Sequence, residues 1–88
     1  VRLQINGKPW TVKDTDDLPK QEFGECIWSE RLIQIRTHQD EQERLDTLIH
    51  ELLHACQPGW NEQNVARVAL VLRNGLWGDS WRRKKKDR

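Results

Sequence analysis

The 88-residue chain has no tyrosine, no methionine, a single phenylalanine, and only two cysteines. Two cysteines, Cys26 and Cys56, are too few for a disulfide framework. They are expected as buried free thiols in a reducing cytoplasm, with pairing reserved for an oxidising compartment. No apolar run approaches ~20 residues, so no membrane-spanning helix is expected. A signal-peptide pattern is also missing, because the first residues already alternate like a strand; the sequence starts at Val1 rather than Met. Charge of one sign is not in excess either: 15 Lys and Arg face 14 Asp and Glu, as in an ordinary soluble protein. A chain of this length makes one domain with a modest core, for which a metal or a partner is a plausible aid to stability.

What is present divides at residue 40. The segment "VRLQINGKPWTVK" predicts a β-hairpin, because Asn6-Gly7 accepts the positive φ values of a tight type I′ turn. That turn sets Leu3 opposite Trp10 and Val1 opposite Val12. Pro9 donates no hydrogen bond, which predicts an edge strand. Residues 14–24 are polar and read as a loop. "ECIWSERLIQIR" then predicts a second hairpin turning at Glu30-Arg31. It would pair Trp28 with Ile33 and Cys26 with Ile35, and leave Gln34, Arg36 and His38 on the opposite face.

From Asp40 the apolar period changes from two to 3.6. Asp40 is a good N-cap with Glu43 three residues on. Leu45, Leu48, Ile49, Leu52 and Cys56 form one stripe, and Pro58-Gly59 ends the helix. Asn61 caps a second helix whose Val65, Val68, Ala69, Leu72 and Leu76 repeat the spacing, with Gly75 or Gly78 as its stop. The expected fold class is α+β: a small antiparallel or mixed sheet of two hairpins, then two helices. Residues 1–81 form the single domain and residues 82–88 a basic, disordered tail.

Within the first helix, "HELLH" places His50 and His54 one turn apart, ~40° from each other and roughly 140–180° from the centre of the apolar stripe. Core histidines would fall inside the stripe; these two share a face of their own. Two neutral imidazoles at this spacing suit one zinc ion, which in a catalytic site takes a third protein ligand and keeps one position open. Glu51, next to the first histidine, is placed as a general base.

On these residues the segment 32–72 resembles the core of the zincin metallopeptidases. "HELLH" matches their motif in full. The strand "RLIQIR", the acidic helix start and the motif together are similar to small ImmA/IrrE-like and SprT-like domains of bacteria and phages. The resemblance implies a zinc-dependent peptidase acting on a protein or peptide substrate, with an extended segment added at the edge of the strand over residues 32–36. It also implies a glutamate ligand from the following helix, as in gluzincins. Glu62 is the only glutamate after Glu51, and its alternative role is a helix N-terminal acid favoured by the dipole. Asp79, expected on a turn after the helix, is the reserve ligand.

A transition-state donor is less well marked. His38, just before the motif helix, is the candidate, with Arg67 and Arg73 behind it and a surface role open for each. Two other function classes remain: a zinc-stabilised binding domain without catalysis, and a nucleic-acid-associated module. The second would use the basic tail for weak, non-specific attraction, with Trp60, Trp77 and Trp81 as stacking groups or as core closure.

Overall fold

The computed structural model describes residues 1–86, with side chains described through Ser80. Strands β1 (Arg2–Ile5), β2 (Lys8–Thr15), β3 (Gly24–Ile27) and β4 (Leu32–Arg36) precede helices α1 (Glu41–Cys56) and α2 (Glu62–Lys86). The strands make one mixed sheet in the order β1-β2-β4-β3, so the fold class is α+β. No helix among the described residues is long and apolar enough to cross a membrane.

The first hairpin follows its turn chemistry. Asn6 and Gly7 take φ values of 51° and 78°, and Leu3 pairs with Trp10. Val1 and Val12 exchange backbone hydrogen bonds of 2.7 and 3.0 Å, although the Val1 side chain is exposed. Pro9 does not mark an edge strand, contrary to its sequence reading. β2 lies inside the sheet, but its parallel pairing with β4 begins only at Thr11. Pro9 therefore sits where the sheet is still two strands wide, and its missing N–H leaves no β4 partner unpaired.

The second hairpin differs in register. Cys26 pairs with Ile33, and Gly24 with Ile35. The connection is longer than a two-residue turn: Trp28–Glu30 form a 3-10 turn, and Arg31 closes it at φ 49°. A slip of two residues keeps each side chain on its face, so the apolar pattern survives the change. Trp28 leaves the ladder and packs edge-on against Trp10, with ring centroids 5.5 Å apart. A second correction follows from the strand order: β4 is flanked by β2 and β3, so the strand with a free edge beside α1 is β3.

Trp10, Val12, Ile33 and Ile35 form the centre of the core, with Leu48, Leu52 and Cys56 of α1 packed against it. Ile33 and Ile35 are fully buried, each worth about 1.5–3 kcal/mol of transfer free energy. Both cysteines are free and half-buried.

Both helix starts are capped as their sequences imply. Asp40 accepts from Glu43 N at 2.8 Å, and Asn61 accepts from Asn64 N at 2.8 Å. The end of α2 is not where glycine would put it: the helix passes through Gly75 and Gly78 to Lys86. A helical glycine costs only ~1 kcal/mol, and no proline follows to stop the helix. Val65 and Ala69 are buried, but Leu72 and Leu76 are exposed rather than core. The face that α2 turns to α1 passes instead through Arg73 and Trp77: Arg73 reaches toward Asp46, and Trp77 borders a pocket with Asp40, Glu41 and Gln42. Asp79 lies within α2 rather than on a turn after it. The side chains of residues 82–88, expected as a disordered tail, lie outside the described residues, as does that of Trp81.

Candidate metal centre

His50 and His54 project from one side of α1 toward the first turn of α2, where Pro58-Gly59 has reversed the chain. Their rings stand 4.9 Å apart between centroids. The Glu62 carboxylate spans them: Oε1 meets His50 Nε2, and Oε2 lies 2.9 Å from His54 Nε2. The three side chains bring ligand atoms within 4.8 Å of one another. Two imidazole nitrogens and one carboxylate oxygen are a donor set that suits zinc and leaves a position open, so the residues fit the ion. Asp79 is excluded from this centre by length, since it stands seventeen residues beyond Glu62 in the same helix, ~25 Å away along the axis.

Glu51 lies beside the pair on the β3 side. The cleft that holds it has a volume of about 490 Å³ and is lined by Glu22, Glu25, Cys26 and Trp28 as well as the triad. A second opening, on the other side of His50, is bounded by Gln21, Phe23, Asp46 and Thr47. The triad thus sits in the middle of a groove between the β3 segment and α1, open at both ends.

Gly24 is what allows β3 to approach so closely. A Cβ at this position would lie 2.6 Å from Thr47 Cγ2, 3.0 Å from Glu51 Cγ and 3.3 Å from the Gln34 carbonyl oxygen. Sequence reading passed over Gly24 and Thr47, because a glycine at a strand start carries no visible sign of what it touches. The chain leading into it is held from below. Arg36 donates to the carbonyls of Leu18, Pro19 and Glu22, and Gln39 donates to those of Phe23 and Arg36. Gly24→Ala is expected to cost about 1–3 kcal/mol, the usual range for overpacking, and to displace Glu51 from the centre. Denaturant unfolding checks the first effect. An alanine variant as stable as the parent would mean that the β3–α1 approach is not tight.

Burial pushes the Glu51 carboxyl up to about 7. His54 opposes this, while the charges of Glu62, Glu22 and Glu25 add to it. Between its ordinary value of 4.5 and about 7, the folded metal-free chain therefore holds a proton that the unfolded chain has released. Stability must fall as pH rises through that window. Allowing for partial exposure, the loss is about 1–2 kcal/mol. Glu51→Gln, measured with a chelator present, should flatten the profile relative to the parent; parallel profiles would contradict the burial effect. Cys26, on the same wall, has its thiol pushed up to about 11 by burial and then by Glu51, so it remains a neutral thiol there.

Comparison of the chain with known family models, curated proteins and solved structures gives no match. Functional inference therefore rests on the centre itself. The other sequence candidates lie apart from it. His38 is exposed at φ 63° in the turn before α1, Arg67 is exposed on α2, and Arg73 lines a neighbouring cavity with Asp46.

Proposed function

We propose that the protein is a zincin-like metallopeptidase that hydrolyses peptide bonds of an extended protein or peptide substrate. His50, His54 and Glu62 hold one zinc ion, and Glu51 is the general base. The observation that carries this reading is the single carboxylate meeting both imidazole Nε2 atoms, with a half-buried carboxyl alongside in an open groove. Zinc bound there would supply Lewis acidity toward a water and a carbonyl oxygen. Glu51 then does what its position and raised pKa suit: a carboxylate oxygen takes a proton from water and returns it to the leaving nitrogen. The unpaired edge of β3 offers backbone groups to an extended chain, and strand addition there would lay that chain along the groove.

Glu62 is 67% exposed although its carboxylate meets both imidazoles, which suits a ligand better than a structural acid fixed by packing. One observation favours the second reading, a zinc-stabilised binding domain. The triad ties the start of α2 to α1, so the ion's binding energy would also be folding energy. Metal analysis after zinc loading and desalting, paired with turnover of an unstructured protein, separates the two. About one equivalent of zinc with turnover supports the peptidase. One equivalent without turnover leaves the binding domain, and less than a tenth of an equivalent removes both.

A further inference from the structure

Thr47 is the one buried polar residue among the described residues, at 8% exposure. It stands one helical turn before Glu51, on the same side of α1. Its methyl carbon and the Cγ of Glu51 are the two atoms nearest the space over Gly24. The distance between the start of β3 and α1 therefore decides where the Glu51 side chain can stand. The Thr47 hydroxyl donates toward Gln39 Oε1 at 2.9 Å and toward the Glu43 carbonyl at 3.0 Å. Gln39 Nε2 donates to the carbonyls of Phe23, at 3.3 Å, and Arg36, at 2.9 Å. Turning the amide over would set its oxygen against those two carbonyls, so the proton between Gln39 and Thr47 is the threonine's.

A helical threonine often bonds back to the carbonyl four residues earlier, and that acceptor alone would satisfy the hydroxyl. Gln39 supplies a second acceptor, and this one leads off the helix. Through a single amide, α1 is joined to the residue that precedes Gly24 and to the end of β4. The backbone of Gln39 is itself held between His38, at φ 63°, and the helix cap Asp40. We propose that Gln39 is a positioning residue for the general base: with Thr47 it sets the gap between β3 and α1, and so the place of Glu51 beside the histidines. Its effect on turnover rests on the peptidase reading, whereas the bridge rests on the hydrogen bonds alone.

Two substitutions of Thr47 separate the bridge from packing. Thr47→Val keeps a methyl against Gly24 and removes the hydroxyl, whereas Thr47→Ser keeps the hydroxyl and removes the methyl. Gln39→Met keeps the side-chain length and removes every bond of the amide. Each variant is the full chain loaded with zinc. Hydrogen–deuterium exchange of residues 19–26 reads the bridge, and turnover of an unstructured protein reads its consequence. Thr47→Val and Gln39→Met should each speed that exchange about ten-fold and lower kcat about ten-fold, with KM within about two-fold of the parent and zinc content unchanged. Thr47→Ser should match the parent in both. The reverse order, Val like the parent and Ser impaired, makes the contact one of packing and overturns the proposal. Parental exchange and kcat in Gln39→Met overturn it too, as does a loss of zinc alongside kcat, which would place the effect on the ligands. Should Thr47→Val fail to fold, Gln39→Met decides, since it alters a half-buried position outside α1. Failure of the peptidase reading looks different: the parent would turn nothing over, while exchange would still be faster in Val than in Ser.

Discussion

Glu51→Gln is expected to keep its zinc and to lose turnover by roughly 10²-fold or more. The substitution preserves shape and hydrogen-bonding capacity at the wall of the groove while removing the carboxyl next to the histidines that is suited to cycling a proton. It follows Glu51's position: it neighbours His50 in sequence yet points toward Gly24 and β3, so it does not share the ligand set of the histidines and Glu62. Its environment favours the task as well. Burial raises its carboxyl to about 7 before any metal charge acts on it, and a raised pKa makes a carboxylate a better proton acceptor. Turnover of an unstructured protein by parent and variant, with zinc content measured on the same samples, decides it. A variant that turns over like the parent would remove Glu51 from the chemistry, and one that loses its zinc would make it a ligand.

The local parts of this protein could be read from sequence because short-range chemistry determines them. Asn6-Gly7 fixes its hairpin through two φ angles. Asp40 and Asn61 fix helix starts through one hydrogen bond each. The four-residue spacing of His50 and His54 is helix geometry, independent of any tertiary contact. The misread parts depend on what lies across the fold. The β3–β4 register shifted because Trp28 leaves the strand for Trp10, nearly twenty residues earlier, and a 3-10 turn takes up the slack. Which strand has the free edge depends on the parallel pairing of β2 with β4, a non-local choice that no turn residue announces. Leu72 and Leu76 share the stripe of Val65 and Ala69, yet packing, not periodicity, determines how far a stripe is covered. The placement of Gly24 against Thr47 and Glu51 is of the same kind, and it is the feature of the site most dependent on the tertiary fold.

Glu62→Gln should fail in a different order from Glu51→Gln: metal affinity falls first and activity follows. The carboxylate contributes the only anionic donor of the triad, and its loss leaves two neutral imidazoles that any divalent ion holds more weakly. The expected loss in zinc affinity is roughly 10²-fold or more, larger than the 10–100-fold usual for groups one shell further out. Stability reports the same event without any substrate. An ion that binds only the folded chain raises its stability by RT ln(1 + [Zn]/Kd), so a 10²-fold weaker site loses about 2.7 kcal/mol of that stabilisation at a fixed excess of zinc. The parent should therefore show a large zinc-dependent rise in Tm, and Glu62→Gln a small one. Asp79→Asn should keep the parent's zinc affinity and its zinc-dependent rise in Tm, since the helix carries that residue away from the histidines. Chelator competition gives the affinities and differential scanning fluorimetry the melting temperatures. If Glu62→Gln held zinc as tightly as the parent, the carboxylate seen against His50 and His54 would be an ion-pair partner of the helix start and no ligand at all.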